Sequence, residues 1–267
     1  MKKLLFGLML FLVYGCSSSE TEEPYQIEFM NTSSLGLLYN HVPVKLYAMS
    51  SDERLDKVEF YFDDELIGVK ISAPYEVEYV PIDVPPGEHG ISIIAYFDNE
   101  PLEMYYGAVS LQLRLGDKYQ GGVIFKLDDD GEHGLIASEE DCVNGGDKKF
   151  GFSGYGKLYG ATSATDGLVN TEAIVKEANY SWVAAAACYN YEHGGYDDWY
   201  LPSKSELELL SDNFKIVGGF EFTDEYSRGY WSSTEIDETT AYLVRIEAMT
   251  GKYYKDRVYQ VRAIRKF

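Results

Sequence analysis

The sequence predicts two folded domains in series, an all-β sandwich followed by an α+β domain. Three observations carry that prediction. Short apolar–polar alternations broken by turn residues fill Val44 to Leu113, with no window of helical period. Beyond Leu115-Gly116-Asp117 the order becomes strands, then helices, then strands, the pattern of an α+β domain. The 267 residues suffice for two ordinary domains, and 45% of them are apolar, so each has material for a core.

Ahead of both domains stands a targeting segment, residues 1–15. Lys2 and Lys3 precede an apolar run from Leu4 to Val13, too short to cross a bilayer and of the right length for a signal peptide. The run ends Val13-Tyr14-Gly15-Cys16, which resembles the lipobox of bacterial lipoproteins. That resemblance implies cleavage before Cys16 and acylation of its thiol, making outer-membrane lipid the first partner of the chain. Tyr14 is bulkier than the pattern prefers, so an ordinary signal peptide with an incidental cysteine is the competing reading. In residues 16–38 Cys16 is followed by SSSETEEP, which is polar, acidic and aperiodic, and suits a flexible tether. Acidic residues just after the cysteine also resemble the surface-export signal of Bacteroidetes lipoproteins, which implies the outer face of the outer membrane.

The first domain is predicted over residues 39–115. Ile27 and Phe29 suggest an earlier strand, and Val44, Leu46 and Ala48 open the clear alternation. Val58, Phe60 and Phe62 follow, then a turn at Asp63-Asp64-Glu65 and a return strand from Leu66 to Val69. Ala73-Pro74-Tyr75 breaks the chain before Glu76 to Val80, and Pro85-Pro86-Gly87 is a strong turn. Ile91, Ile93 and Ala95 run into a turn at Asp98-Asn99, and Val109, Leu111 and Leu113 form the last strand. The hairpin on Val58 to Val69, the Ala73-Pro74-Tyr75 step and Gly87-x-His89 together resemble a bacterial immunoglobulin-like domain. Gly90 departs from that pattern and is expected to loosen or bulge its strand. In such lipoproteins the sandwich implies a spacer. Tyr61, Tyr79 and Tyr96 fall opposite the core face and are the binding alternative.

The second domain spans residues 116–267. Val123 to Leu127 and Leu135 to Ala137 form a hairpin whose tip carries Asp128, Asp129 and Asp130. Clustered carboxylates invite calcium, although the spacing is not that of an EF-hand and a solvated turn explains them equally. Cys142 to Asp166 is aperiodic and reads as a long loop. Thr171 to Glu177 reads as a helix, and a second runs from a cap at Ser181 to about Asn190. Val175, Ala178, Trp182, Ala185 and Tyr189 then form a core-facing stripe.

The strongest local pattern is Gly194 to Leu210, GGYDDWYLPSKSELELL. Pro202 stops a short extended run, and Ser203 with Glu206 makes a capping box ahead of Leu207, Leu210 and Phe214 at helical spacing. Gly218-Gly219 ends that helix, and strands follow at Tyr230 to Thr234, Ala241 to Ile246 and Val258 to Ile264.

Charge and cysteines narrow the function classes. A formal charge of -21 argues against a phosphate backbone or a polyanionic glycan as the natural partner. With Cys16 assigned to the anchor, Cys142 and Cys188 remain, and two thiols in an exported domain suggest one disulfide; two buried free thiols are the alternative. No C-x-x-C is present and the four histidines are scattered, so no resident metal or redox cofactor is expected beyond the calcium reading.

Gly116-Asp117, Gly121-Gly122, His133-Gly134-Leu135, Asn170-Thr171, Cys188, GGYDDWYLPSKSEL, YWSST and the terminal VRAIRKF occur in an order that resembles a domain family of unknown function. That family is named after the C-terminal domain of a Legionella collagen-like adhesin. The resemblance implies a C-type-lectin-like fold, related to that of formylglycine-generating enzymes. The late cysteine pair those enzymes need is absent, as are the calcium triads of sugar-binding C-type lectins, so neither activity carries over. The expected function is a non-enzymatic, surface-anchored binding or adhesion protein with a stalk and a lectin-like head for a glycan or protein. A structural part of a surface assembly, or a glycan- or protein-modifying enzyme, are the alternatives. Trp199, Tyr200, Tyr230 and Trp231 are candidate stacking contacts, although their apolar context equally suits a core. Asp197 and Asp198 are candidate ligand groups or loop-fixing acceptors. The aperiodic segments Cys142 to Asp166 and Gly218 to Gly229 are the surface least explained by fold.

Overall fold

The computed structural model describes residues 25, 27–31, 36–142, 150–152, 156–178, 182–220, 222 and 228–267, without side chains at 29–31, 103–107 and 150. The predicted signal segment, Cys16 and most of the predicted tether lie outside the described residues, as does the predicted cap Ser181. The chain divides into two compact units between Gln112 and Leu113. Among the described residues no helix is long and apolar enough to cross a membrane.

The described residues of the first unit are all β. One sheet joins β1 (Glu28–Asn31), β3 (Val44–Met49) and β6 (Tyr75–Tyr79) in the order β1-β3-β6. The other contains β2 (Leu37–Leu38), β4 (Leu55–Phe62), β5 (Glu65–Lys70), β7 (Gly87–Phe97) and β8 (Glu100–Leu111), ordered β2-β8-β7-β4-β5. Alternation fixes the buried face: Leu46, Val58, Phe60, Ile91, Ile93, Ala95 and Phe97 are all closed to solvent. Two-residue turns at Asp63-Asp64 and Asp98-Asn99 hold both residues at positive φ, 46° and 65° in the first and 50° and 67° in the second. That geometry matches the right-handed twist of the strands it joins.

Three features differ from the sequence prediction. Gly90 stays in register with Ala108, its N–H donating to Asp63 Oδ1 at 2.7 Å, and the irregularity falls instead at Ile91/Ser92. The last strand begins at Glu100 rather than Val109, since the tight Asp98-Asn99 turn starts pairing at once. The outer-face tyrosines are half-buried rather than open. Tyr61 and Tyr96 both donate to Glu59, at 2.8 and 3.1 Å, and the Lys57 ammonium sits 3.8 Å over the Tyr96 ring. Tyr79 lies 4.8 Å from the Phe62 ring.

The second unit mixes helices and sheets. Strands β9 (Lys118–Tyr119), β10 (Gly122–Leu127), β11 (Gly134–Ala137) and β17 (Ile264–Lys266) form one sheet, ordered β17-β11-β10-β9. A meander joins β13 (Gly229–Glu235), β14 (Thr240–Arg245) and β15 (Gly251–Tyr254), while β12 (Phe150–Gly151) pairs β16 (Val258–Tyr259). Among the described residues four helices accompany them: α1 (Gly167–Glu177), α2 (Ala184–Tyr189), α3 (Lys204–Asp212) and α4 (Phe214–Val217). Val123, Phe125, Leu135, Leu207, Leu210, Tyr230, Val244 and Ile264 meet in the core.

The predicted single strand from Val258 to Ile264 is two short strands, because the chain changes partners along it. Gln260 bridges Tyr230, the Val261 carbonyl accepts from Cys142 N, and β17 pairs β11. The predicted helical stripe is also broken. Trp182 and Tyr189 are 48% and 47% exposed, while Ile174, Ala184, Ala185 and Cys188 are buried. A 3.6-residue period has no meaning across the gap between α1 and α2.

The capping box on α3 is present, and its acid does more than cap. Glu206 is 7% exposed. Its Oε2 accepts from Ser203 N at 2.8 Å, Ser203 Oγ at 2.6 Å and Gly167 N at 2.9 Å, and its Oε1 accepts from the Tyr200 hydroxyl at 3.0 Å. One carboxylate therefore serves the N-termini of both α1 and α3, where backbone N–H groups and the helix dipole favour negative charge. Gly167 permits the approach: a Cβ there would meet Ser203 N at 2.5 Å and Leu201 O at 2.6 Å.

Replacing Glu206 by Ala leaves buried donors at three positions without an acceptor, and urea unfolding is expected to show a loss of about 3 kcal/mol or more. Glu206→Gln retains one acceptor and costs less, while Gly167→Ala overpacks the contact and costs roughly 1–3 kcal/mol. Equal stability of Glu206→Ala and wild type overturns this account.

Candidate functional site

The aromatic residues expected at a ligand surface are core. Trp199, Tyr200, Tyr230 and Trp231 are at most 1% exposed. Tyr200 pairs with Ile264 through backbone bonds of 2.8 and 3.0 Å and donates its hydroxyl to Glu206. Tyr230 donates to Asp141 Oδ2 at 2.8 Å, and burial pushes both tyrosine pKa values far up. Trp231 packs edge-on against Phe152 and Tyr259, and Trp199 donates Nε1–H to the Tyr196 carbonyl at 3.1 Å. Their place as stacking platforms is thus corrected: an aromatic ring with no exposed face cannot meet a ligand.

The two aperiodic segments are pinned by buried charges. Lys255 and Glu235 form an ion pair at 2.5 Å with both side chains fully buried. Glu235 Oε2 accepts from Tyr159 N and Ala161 N at 2.9 and 3.0 Å, and Lys255 donates to the Lys157 carbonyl at 2.9 Å. Farther along, Arg262 bonds Asp141 at 2.8 Å and donates to the carbonyls of Ser138 and Gly219 at 2.8 and 2.7 Å. Its guanidinium lies 4.1 Å from the Phe220 ring centre. Residues 143–149, 153–155, 221 and 223–227, which complete those segments, lie outside the described residues.

The acidic tip is a turn braced by Asp130. Asp130 Oδ1 accepts from the backbone N–H of Glu132 and His133 at 2.9 and 3.2 Å, its Oδ2 meets His133 Nδ1 at 2.7 Å, and Lys126 bonds Asp128 at 2.7 Å. Among the described residues no group of three or more acidic, histidine or cysteine side chains converges as a metal site. Of the three acids expected to hold calcium, Asp128, Asp129 and Asp130, the last has both carboxylate oxygens engaged by donors of its own turn.

The start of the stretch Gly194 to Leu210 lies at the surface of the second unit. Glu192, His193, Gly194, Gly195, Tyr196 and Asp197 line an open recess of about 490 Å³. Its floor is a two-residue turn: His193 N donates to Tyr196 O at 3.1 Å and Tyr196 N to His193 O at 3.0 Å. Gly194 and Gly195 between them have φ of 63° and 85°. Only glycine adopts that pair at no steric cost, and the Gly194 backbone also rests on Gly121, where a Cβ would meet Gly121 Cα at 2.5 Å.

Rigid supports hold the turn. Arg265 grips Asp198 through Nε–Oδ1 and Nη2–Oδ2 contacts of 2.6 and 2.9 Å, donates to Gln120 Oε1 at 2.9 Å, and covers the Tyr196 ring at 4.0 Å. Asp198 is therefore a loop-fixing acceptor, whereas Asp197 lines the recess. The Tyr191 ring stacks on His193 at 6.0 Å and meets Trp199 edge-on at 5.4 Å; burial pushes its hydroxyl up to about 12. Glu192, His193 and Tyr196 were not singled out from sequence. The Gly194-Gly195 pair was the available signal, since two adjacent glycines specify this turn and so place their flanking side chains together.

Cys142 and Cys188 are both thiols in this structure, fully buried, with Sγ atoms 3.9 Å apart. On the first unit a second depression of about 600 Å³ is lined by Ile27, Tyr47, Met49, Pro74, Tyr75 and their neighbours.

No family model and no curated protein matches the sequence. Among solved structures, a fibronectin(III)-like module of Clostridium thermocellum CbhA is similar at 29% identity over 31% of this chain and 90% of its own, with a TM-score of 0.22. The endo-β-1,4-mannanase of Thermotoga petrophila is similar at 13% identity over 36% of this chain, with a TM-score of 0.29. A β-glucuronidase of Bacteroides uniformis is similar at 15% identity over 32% of this chain, with a TM-score of 0.22. The chain spans 21% of the mannanase and 10% of the glucuronidase.

The acidic turn has a defined pH response. The Glu132 N–H, then the His133 imidazole, hold Asp130 at about 2 against an ordinary 3.8, and Asp130 raises His133 above 6.5. The lowered acid stabilises the turn above its ordinary value and stops doing so as pH falls through about 2. The raised histidine stabilises it below 6.5 and stops as pH rises through the folded value. The turn is therefore tightest between the two ordinary values. In an NMR titration the Asp130 midpoint is expected near 2 and to move toward 3.8 in His133→Ala. An unchanged midpoint in that variant refutes the pairing.

Proposed function

We propose that this chain is a lipid-anchored, surface-exposed binding protein in which an immunoglobulin-like sandwich is the stalk and a C-type-lectin-like unit is the head. The head binds a neutral, hydroxyl-rich ligand, a glycan or a glycosylated protein surface, without chemical turnover. The observation that carries this reading is the exposed recess on the Gly194-Gly195 turn, lined by Glu192, His193, Tyr196 and Asp197. Carboxylates accept hydrogen bonds from hydroxyls, imidazole does either, and an aromatic edge contributes apolar contact. A turn held by Arg265 and by the glycine contact is already ordered, so little conformational entropy is lost on binding. The net charge of -21 disfavours anionic ligands.

A glycan array probed with the full chain tests the ligand class. His193→Ala and Asp197→Ala are expected to weaken a reproducible sugar hit by about tenfold or more while leaving the melting midpoint within roughly 2 °C of wild type. Binding at wild-type strength in both variants moves the site elsewhere.

The anchor has its own test. Cys16→Ser is expected to abolish incorporation of labelled palmitate and to release the protein from the membrane fraction. Continued labelling of that variant removes the lipobox reading.

A further inference from the structure

We propose that Cys142 and Cys188 close into a disulfide when the chain folds in an oxidising environment, stapling the end of α2 to the segment that carries Asp141. The two residues are 46 apart in sequence, yet their sulfur atoms face each other at 3.9 Å in a fully buried site. A covalent S–S bond measures about 2.05 Å, so closure needs the sulfurs to approach by roughly 2 Å, within reach of side-chain rotation and a slight shift of backbone. The chain has three cysteines, and the third, Cys16, lies in the segment assigned to lipid.

Both ends of the bridge sit on fixed structure. Cys142 N donates to the Val261 carbonyl at 3.0 Å, and the adjacent Asp141 carboxylate accepts from Arg262, Tyr230 and Gln260. Cys188 lies in the last turn of α2, three residues before Tyr191, which stacks on the recess residue His193. The bridge thus ties the base of the recess to the Asp141–Arg262 centre. It does not depend on what the recess binds.

The oxidant is a disulfide of low molecular weight or a protein disulfide donor. One cysteine thiolate attacks that disulfide, forming a mixed disulfide and releasing one thiol. The second cysteine then displaces the other thiol, so one S–S bond forms as one breaks, and the two cysteine protons end on the two released thiols. Burial suppresses the Cys188 thiolate, so exchange belongs to folding, before the pair is enclosed.

Full-length protein is refolded with oxidised glutathione, denatured without reductant, alkylated and digested. The expected result is a single cross-linked peptide pair containing Cys142 and Cys188, with neither alkylated. Adding reductant is expected to lower the melting midpoint by roughly 10 °C, since the bridge joins residues 46 apart in sequence. Cys142→Ser and Cys188→Ser each lose that response to reductant. Alkylation of both cysteines in the unreduced wild type, or a bridge to Cys16, overturns the proposal whether or not the variants fold. Palmitate labelling of Cys16 and sugar binding are read separately, so failure here is distinct from failure of the export or ligand reading.

Discussion

A single buried carboxylate sets the geometry of the second unit. Glu206 carries its carboxylate into the interior, where among the described residues backbone and hydroxyl donors hold it and no cation pairs with it. Such a charge is tolerated only where donors are already oriented toward it. Two helix N-termini supply that orientation, so α1 and α3 must start at the same place. The Tyr200 hydroxyl supplies the fourth donor and fixes the extended run before Pro202 against β17 through the Tyr200–Ile264 pair. Helix starts, extended run and closing strand are thus one constraint.

Two further buried charge centres repeat this logic for segments without regular structure. Glu235 with Lys255 holds residues 157–161, and Asp141 with Arg262 holds the chain at Gly218 and Gly219. Irregular backbone has peptide groups that no ladder satisfies, and burying it requires partners for each. Long charged side chains reach several such groups at once. This explains why so acidic a chain still places Lys255, Arg262 and Arg265 in its interior.

The stretch from Gly194 to Leu210 divides in two. Its second half is interior, and Trp199, Tyr200, Leu201, Leu207 and Leu210 pack the core. Its first half stands in solvent as a glycine turn whose underside rests on Gly121 and whose flank is gripped by Arg265. The stretch that most specifies the fold therefore also aims the recess. Rigid placement of exposed polar groups follows from their attachment to an over-determined core, not from any property of the loop alone.

Much of the fold was legible in the residues. Alternation located the sandwich strands from Val44 to Ile93, and Ser203 with Glu206 marked the start of α3, because both signals are local: a period of two, and a cap spanning three residues. The sandwich hairpin turned where Asp63-Asp64 allowed positive φ. Legibility failed where partners are distant. Trp199 and Trp231 look alike in sequence whether they face ligand or core, and only contacts with Tyr196, Phe152 and Tyr259 decide. Glu206 announced its cap but not its bond to Gly167, 39 residues away. Val258 to Ile264 read as one strand because nothing local reports a change of partner. The sequence by itself determined which segments alternate, where turns fall and where one helix begins, since those depend on backbone sterics and neighbouring residues. The tertiary structure alone decided which polar groups are spent inside and which remain outside, because burial is a property of distant segments meeting.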